Sequence, residues 1–384
     1  MKTPRALPVF SALLLAACAS QPQEVPPPQS GAAPATPAAS NPPPETSVEA
    51  IRNPETIDTT PVPFATARAN FIANTATRYG LEPAYVESVL AQAVKRDDVI
   101  ALMSKPAERV KPWSEYRPAM LTEQRIAAGR DFMAKHRDAL AREEARYGVP
   151  AEIITAIIGV ETSYGSFTGK HRVLDALYTL AFFYPRSGDP AKAAYEQKRE
   201  NFFRDELAQL FALGREEKLD ITSLLGSYAG AMGMGQFMPS SYRQYAVDGN
   251  GDGRRDLFNN HDDIFASIAN YFVKKGGDNG GWLRGAPVAA RATLKPGFDE
   301  FNPVDWLPTW TLDDLAKRGY VPAQPLATGL TATPVSLQIG ESGKEYWLGF
   351  RNYYAITRYN NSKMYAMAVY QLSQLIAGKD LPPA

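Results

Sequence analysis

The chain has 384 residues, 45% hydrophobic and 21% charged, with 41 basic and 41 acidic side chains. That length is ample for one large folded core, and the zero formal charge leaves no basic surplus for a nucleic-acid partner. The single cysteine, Cys18, excludes an internal disulfide, a thiol-rich zinc site and a paired-cysteine redox centre, and the three scattered histidines (His136, His171, His261) show no metal-site or triad spacing.

Residues 1–17 read as an export signal. Lys2 and Arg5 form a short positive region, and Leu7 to Ala17 is an apolar stretch too short to span a bilayer. Leu15-Ala16-Ala17-Cys18 resembles the lipobox of bacterial lipoprotein signal peptides. The resemblance implies cleavage before Cys18 and lipidation of its sulfur. Ala19 and Ser20 follow, and the absence of an aspartate there resembles outer-membrane sorting. The expectation is a lipid-anchored protein of the outer membrane, facing the periplasm. Residues 18–63 are dominated by Pro, Ala, Ser, Thr and Gln, which bury too little apolar surface to fold. Proline biases such a segment to an extended, semi-rigid tether.

Residues 64–384 read as one mainly α domain. Apolar residues recur at helical spacing over 64–79, 82–92, 122–147, 151–160, 173–181, 201–213, 262–275 and 364–377. Tyr79-Gly80 and Tyr147-Gly148 look like helix stops. Strand-like alternation is confined to 287–294 and 333–350, so a small β element is expected near the C-terminus.

One carboxylate stands out. Residues 151–160 are apolar on nearly every side, the mark of a buried helix, and run directly into Glu161. A carboxyl group at the end of such a helix is costly unless paired, solvated or kept protonated, and desolvation raises its pKa. A raised pKa is what protonating a glycosidic oxygen requires. Helix geometry alone still favours a structural carboxylate; the surrounding motifs reverse that.

Gly159-Val160-Glu161-Thr162-Ser163-Tyr164-Gly165 resembles the catalytic motif of the lytic murein transglycosylase B family. The block from Ser227 to Tyr242, with Gly230, Gly233, Gly235 and Gln236, resembles that family's second signature. Arg358-Tyr359-Asn360-Asn361-Ser362-Lys363-Met364-Tyr365-Ala366 resembles its C-terminal one. All three occur in family order, and the resemblance covers residue 64 to the end.

The resemblance implies a lysozyme-like α domain acting on peptidoglycan glycan strands. Glu161 would be the single acid/base, closing a 1,6-anhydro ring on muramic acid, and Ser227 would assist it. Tyr116, Gln236, Tyr271, Tyr359, Asn360 and Tyr365 match family substrate-binding positions. Arg186 and Arg199 resemble a family arginine pair, here split by the insertion 187–198. Cell-wall synthesis enzymes are candidate partners. The alternatives are a hydrolytic muramidase, which needs a second carboxylate such as Asp175 folded nearby, and a non-catalytic wall-binding lipoprotein. Independently of the resemblance, Gly226, Gly230, Gly233 and Gly235 allow close backbone approach, to a sugar polymer or to another part of the chain.

Asp248-Gly249-Asn250-Gly251-Asp252-Gly253-Arg254 follows the opening of an EF-hand-like loop. Asp248, Asn250 and Asp252 offer side-chain oxygens at the first, third and fifth positions, and Arg254 a carbonyl at the seventh. The twelfth residue, Asn259, is not the usual glutamate. The resemblance implies closure by a later aspartate, Asp263 or its neighbour Asp262. A structural calcium ion, or sodium, is expected there, with no organic cofactor.

Overall fold

The computed structural model describes residues 60, 62–104, 112–303, 305–341 and 343–381. The expected signal peptide, Cys18 and nearly all of the tether lie outside them. Among the described residues no helix is long and apolar enough to cross a membrane.

Helices α1 (Phe64–Tyr79), α2 (Pro83–Leu90), α3 (Asp97–Ser104), α4 (Trp113–Met120), α5 (Glu123–Lys135), α6 (Arg137–Tyr147) and α7 (Ala151–Thr162) come first. Strand β1 (His171–Arg172), α8 (Val173–Phe182), a 3-10 turn (Pro190–Lys192) and the long α9 (Ala193–Glu217) follow. Next are β2 (Leu225–Gly226), α10 (Pro239–Tyr245), α11 (His261–Lys274) and the short α12 (Gly277–Gly280). Strands β3 (Ala289–Leu294) and β4 (Trp310–Thr311), helix α13 (Leu312–Lys317), and strands β5 (Tyr320–Pro322), β6 (Thr331–Ile339) and β7 (Gly343–Gly349) precede α14 (Arg351–Tyr359) and α15 (Lys363–Ile376).

The fold is mainly α, with α7 at its centre. Ile154, Ala156, Ile157 and Ile158 are fully buried, as the continuous apolar run requires, and α5, α6, α11 and α15 pack around the helix. Two glycines set how closely α7 meets α5. A Cβ on Gly159 would lie 2.6 Å from the Tyr164 ring, and one on Gly129 2.4 Å from its hydroxyl. The ring is wedged there, and its hydroxyl donates to the Arg125 carbonyl at 2.8 Å. The two expected stops are left-handed helix caps, Gly80 at φ 60° and Gly148 at φ 74°, where glycine avoids the Cβ penalty.

Three expectations need correction. The single helix expected over 122–147 breaks at His136, whose backbone (φ −109°, ψ 21°) ends α5 and opens α6. Its ring stacks on His261 of α11 at 4.3 Å, a tertiary contact that local periodicity cannot report. The helix expected over 201–213 begins at Ala193, so half of the insertion is helical. Helices α3, α4, α10 and α14 were not expected, because each is only seven to nine residues long and gives too few turns for a periodic signal.

The β element is larger than the sequence suggested. Its five antiparallel strands run in the order β4-β6-β7-β3-β5. Residues 333–350 are mostly a hairpin, with Ile339 opposite Gly343 and Gly340 at φ 71° just past β6. Ala292, Leu315, Tyr320, Ala332, Leu348 and Phe350 form its separate small core.

Candidate active site

Glu161 occupies the last turn of α7. Its helix is buried, while Glu161 as a residue is half-buried. The Tyr365 hydroxyl donates to its Oε1 at 2.5 Å. Burial raises the Glu161 pKa to about 7, opposed by this hydrogen bond, which favours the ionised form. Among the described residues no other carboxylate contributes to that shift. Asp175, the distant acid weighed from the sequence, is engaged elsewhere: its Oδ1 accepts from the Val94 amide at 2.9 Å, and Arg172 approaches Oδ2 at 3.6 Å.

The chain turns sharply after the glutamate. Ser163, Tyr164 and Gly165 are consecutively left-handed, at φ 48°, 60° and 83°. Two of them are not glycine, so the turn carries strain that the surrounding packing must hold. Thr162 anchors it. Its hydroxyl donates to the Met234 carbonyl at 2.9 Å and accepts from the Gly165 amide at 3.1 Å. The helix end bearing Glu161 is thereby tied to the glycine-rich segment. Thr162 lies in the motif, yet nothing about its type announced this bridging.

The glycine-rich segment folds tightly on its own chain. A Cβ on Gly226 would meet the Ala231 carbonyl at 2.3 Å, one on Gly233 the Leu257 carbonyl at 2.5 Å, and one on Gly235 the Phe237 ring and the Tyr359 hydroxyl at 2.9 Å. Of the two reasons for close approach, intrachain packing is therefore sufficient. Ser227 sits in the turn closed by the Gly230 amide and the Ser227 carbonyl at 3.0 Å. Its Oγ accepts from the amides of Ala229 (3.3 Å) and Ala231 (3.0 Å), which orients the oxygen and leaves the hydroxyl proton free to donate. Gln236 (φ 52°) donates its amide to the carbonyls of Thr168 and Gly233 at 3.0 and 2.9 Å, leaving its carbonyl oxygen as an acceptor.

An aromatic wall stands beside the carboxyl group. Tyr271 and Tyr359 lie 4.8 Å apart, and Phe237, not singled out from the sequence, meets both rings edge-on at 5.7 and 5.9 Å. Their hydroxyls donate to the Arg358 and Gly235 carbonyls, each at 2.6 Å. Burial first, with the Glu161 charge adding, pushes Tyr116, Tyr359 and Tyr365 above the ordinary phenol value. Tyr116 is stacked on buried Trp113 at 6.1 Å. Asn360 is exposed at the end of α14. Five elements thus converge: α4, α7 and α11, far apart in sequence, and the consecutive α14 (its end) and α15.

The expected arginine pair has other engagements. Arg186 pairs with Glu200 at 2.5 Å and donates to Gln197 at 2.9 Å. Arg199 lies over the rings of Phe202 and Phe203 at 5.1 and 4.8 Å. The insertion supplies Gln197, so it reshapes the surroundings of Arg186 directly.

In the expected cation loop, the Asp248 carboxylate accepts from the amides of Gly251 (2.7 Å), Asp252 (3.2 Å) and Gly253 (2.8 Å). Asp263 is fully buried and bridges the amides of Gly249 and Asp256 at 2.8 and 2.7 Å. Asp262, the alternative closing ligand, pairs with Arg142 at 2.8 Å. Asn250 and Asp252 side chains bond to each other at 3.0 Å, and among the described residues no cluster of three metal-ligating side chains is assembled.

The geometry defines a class: a lysozyme-like helical domain presenting one carboxyl group, poised near neutral pH, on a floor of backbone turns and tyrosines. Comparison with known proteins is specific about which one. A family model described as a transglycosylase SLT domain matches residues 63–374, and the chain belongs to that family. It is 41% identical over 317 residues to the membrane-bound lytic murein transglycosylase B of Escherichia coli, covering 80% of this chain and 81% of the relative. Its structure resembles the soluble lytic transglycosylase SltB1 of Pseudomonas aeruginosa (TM-score 0.71, 41% identity, 81% of this chain and 98% of that one). It also resembles the Escherichia coli lytic transglycosylase Slt35 solved in complex with calcium (TM-score 0.69, 40% identity, 81% and 92%).

Proposed function

We propose that this protein is a peptidoglycan lytic transglycosylase in which Glu161 performs both proton transfers. The carrying observation is the lone carboxyl group itself: its pKa is lifted to about 7 and its partner is a tyrosine, with no second carboxylate among the described residues contributing to the shift. Protonated Glu161 gives its proton to the oxygen between N-acetylmuramic acid and N-acetylglucosamine, and the bond from that oxygen to the muramic C1 breaks. The carboxylate then takes the proton of the muramic C6 hydroxyl as O6 bonds to C1, which closes the 1,6-anhydro ring and restores the acid. No water is consumed. A pKa near the working pH suits a group that must be acid in one step and base in the next.

Ser227, with its hydroxyl proton free, supports the forming ring oxygen, and Gln236 accepts from a sugar hydroxyl. Tyr116, Asn360 and Tyr365 line the saccharide site, while Tyr271 and Tyr359, whose hydroxyls are engaged with carbonyls, shape its wall. Arg186 and Arg199 are assigned to contact with the peptide stem or the saccharide on family resemblance.

Mass spectrometry of the released muropeptides tests the reading. Anhydro ends are expected; reducing muramic ends would establish a hydrolytic muramidase instead.

The donor set of the Asp248 loop fits a hard cation. Two of its carboxylates interact, with Asp248 raising the Asp263 pKa after burial, and the relative solved in complex with calcium supports the reading. Asp248, Asn250, Asp252, the Arg254 carbonyl and Asp263 would hold it, and the ion would neutralise the loop. The relative is named as membrane-bound, which supports membrane anchoring; the lipobox-like residues before Cys18 assign the anchor to its lipidated sulfur, at the periplasmic face of the outer membrane. Replacing Cys18 with alanine should move the protein from the membrane to the soluble fraction.

A further inference from the structure

Two aromatic rings near Glu161 are left outside by folding. Phe167 is 64% exposed and Tyr228 is 39% exposed, and among the described residues neither ring packs on another aromatic ring. Single exposed apolar side chains are ordinary on a protein surface. These two differ because of where their backbones are held.

Phe167 sits on the strained turn that follows Glu161. Its amide donates to the Thr162 carbonyl at 3.0 Å, and the Thr168 carbonyl beside it accepts from Gln236 at 3.0 Å. Two residues on, Gly169 (φ 108°) lies so close to the Gly226 carbonyl that a Cβ would stand 2.0 Å from it. Tyr228 follows Ser227 directly, at the second position of the turn closed by Ser227 and Gly230. The antiparallel pairing of β1 with β2 joins the two turns. The backbones carrying both rings are therefore fixed to the elements that hold Glu161, Ser227 and Gln236. The exposed Leu225 lies on β2, opposite Arg172 in that pairing.

We infer that Phe167 and Tyr228 form a stacking platform for sugar rings of the glycan strand, one or more units away from the bond that is cut. This rests on the reading of the preceding section and names a further part of the same site. Pyranose rings present apolar C–H faces. An exposed ring on a pinned backbone can bind such a face while losing little conformational freedom. Tyr228 adjoins Ser227 in the chain, and the Thr168 carbonyl beside Phe167 accepts from Gln236, which is why the occupant is the polymer that Ser227 and Gln236 bind. An apolar surface facing a second protein or a lipid would have no reason to share its anchors.

The test uses the full chain and purified glycan strands. F167A and Y228A should each raise KM by about threefold to tenfold, with kcat changed less than twofold, because uniform binding is lost and the chemistry is untouched. F167W should restore the wild-type KM. In an E161Q background, either alanine variant should be retained less by insoluble cell-wall sacculi. Thermal melts should match wild type, since neither exposed ring supports the core. Unchanged KM and unchanged retention would overturn the platform, and the rings would then serve contact with another macromolecule. That failure is distinct from failure of the proposed reaction, which shows in the chemistry of the product ends whatever these rings do.

Discussion

The acidity of Glu161 is a property of its surroundings. In water a glutamate is ionised at neutral pH and cannot donate; here burial lifts it to about 7. E161Q should lower turnover by about two to four orders of magnitude, as loss of a general acid does, while the protein stays folded. The pKa also sets a pH dependence. A folded pKa above the unfolded one means the folded state binds more protons between about pH 4.5 and 7, so stability is lost as pH rises through that window. E161Q should therefore melt higher than wild type at pH 8, by about 2 kcal/mol after allowance for partial exposure, and equally at pH 4. Tyr365→Phe deletes the hydrogen bond that lowers the pKa, so the alkaline limb of the rate profile should move to higher pH. Equal melting of E161Q and wild type at pH 8 would show that burial is not the cause, and an unmoved limb in Tyr365→Phe would show that the Tyr365 hydrogen bond does not restrain the pKa.

Among elements, the crossing of α7 and α5 decides where the carboxyl group stands. Gly159→Ala puts a methyl group into the Tyr164 ring and should cost about 1–3 kcal/mol, the usual penalty of overpacking. Activity should fall further than stability, since Tyr164 belongs to the turn directly after Glu161; parallel denaturant melts and turnover measurements separate the two. A second crossing is held by charge. Glu206 of α9 is buried, and its carboxylate accepts the amide and hydroxyl of Ser240 at 2.9 and 2.6 Å at the start of α10. Burial lifts its pKa to about 7, against the pull of Ser240. Glu206→Ala leaves the half-buried Ser240 amide and hydroxyl without this partner and should cost about 1–2 kcal/mol in the same melts.

At the scale of the molecule, the loop from Asp248 to Asp263 connects α10 with α11, the helix that carries Tyr271. A cation bound only by the folded state stabilises by mass action, by about 2.7 kcal/mol at a hundredfold excess over its Kd. Calcium should raise the melting temperature and chelator should reverse it, and D248A should abolish the response. An unaltered melt with saturating calcium would exclude a cation role in stability.

Local signals in the chain were enough to specify the helical class, the buried helix 151–160 and the two glycine caps, because each depends on spacing within one turn or one helix; Glu161 was singled out as the acid by the resemblance of the motifs around it, not by spacing. The break at His136, the five-stranded sheet, the wedge of Tyr164 between two glycines and the engagement of Arg186 with Glu200 depend on residues far apart in sequence. Only packing decided them. The pKa of Glu161 belongs to the same group: its residue type and helix could be read directly, but the burial that makes it an acid near pH 7 and the Tyr365 hydroxyl that restrains it come from helices that meet only in the folded protein.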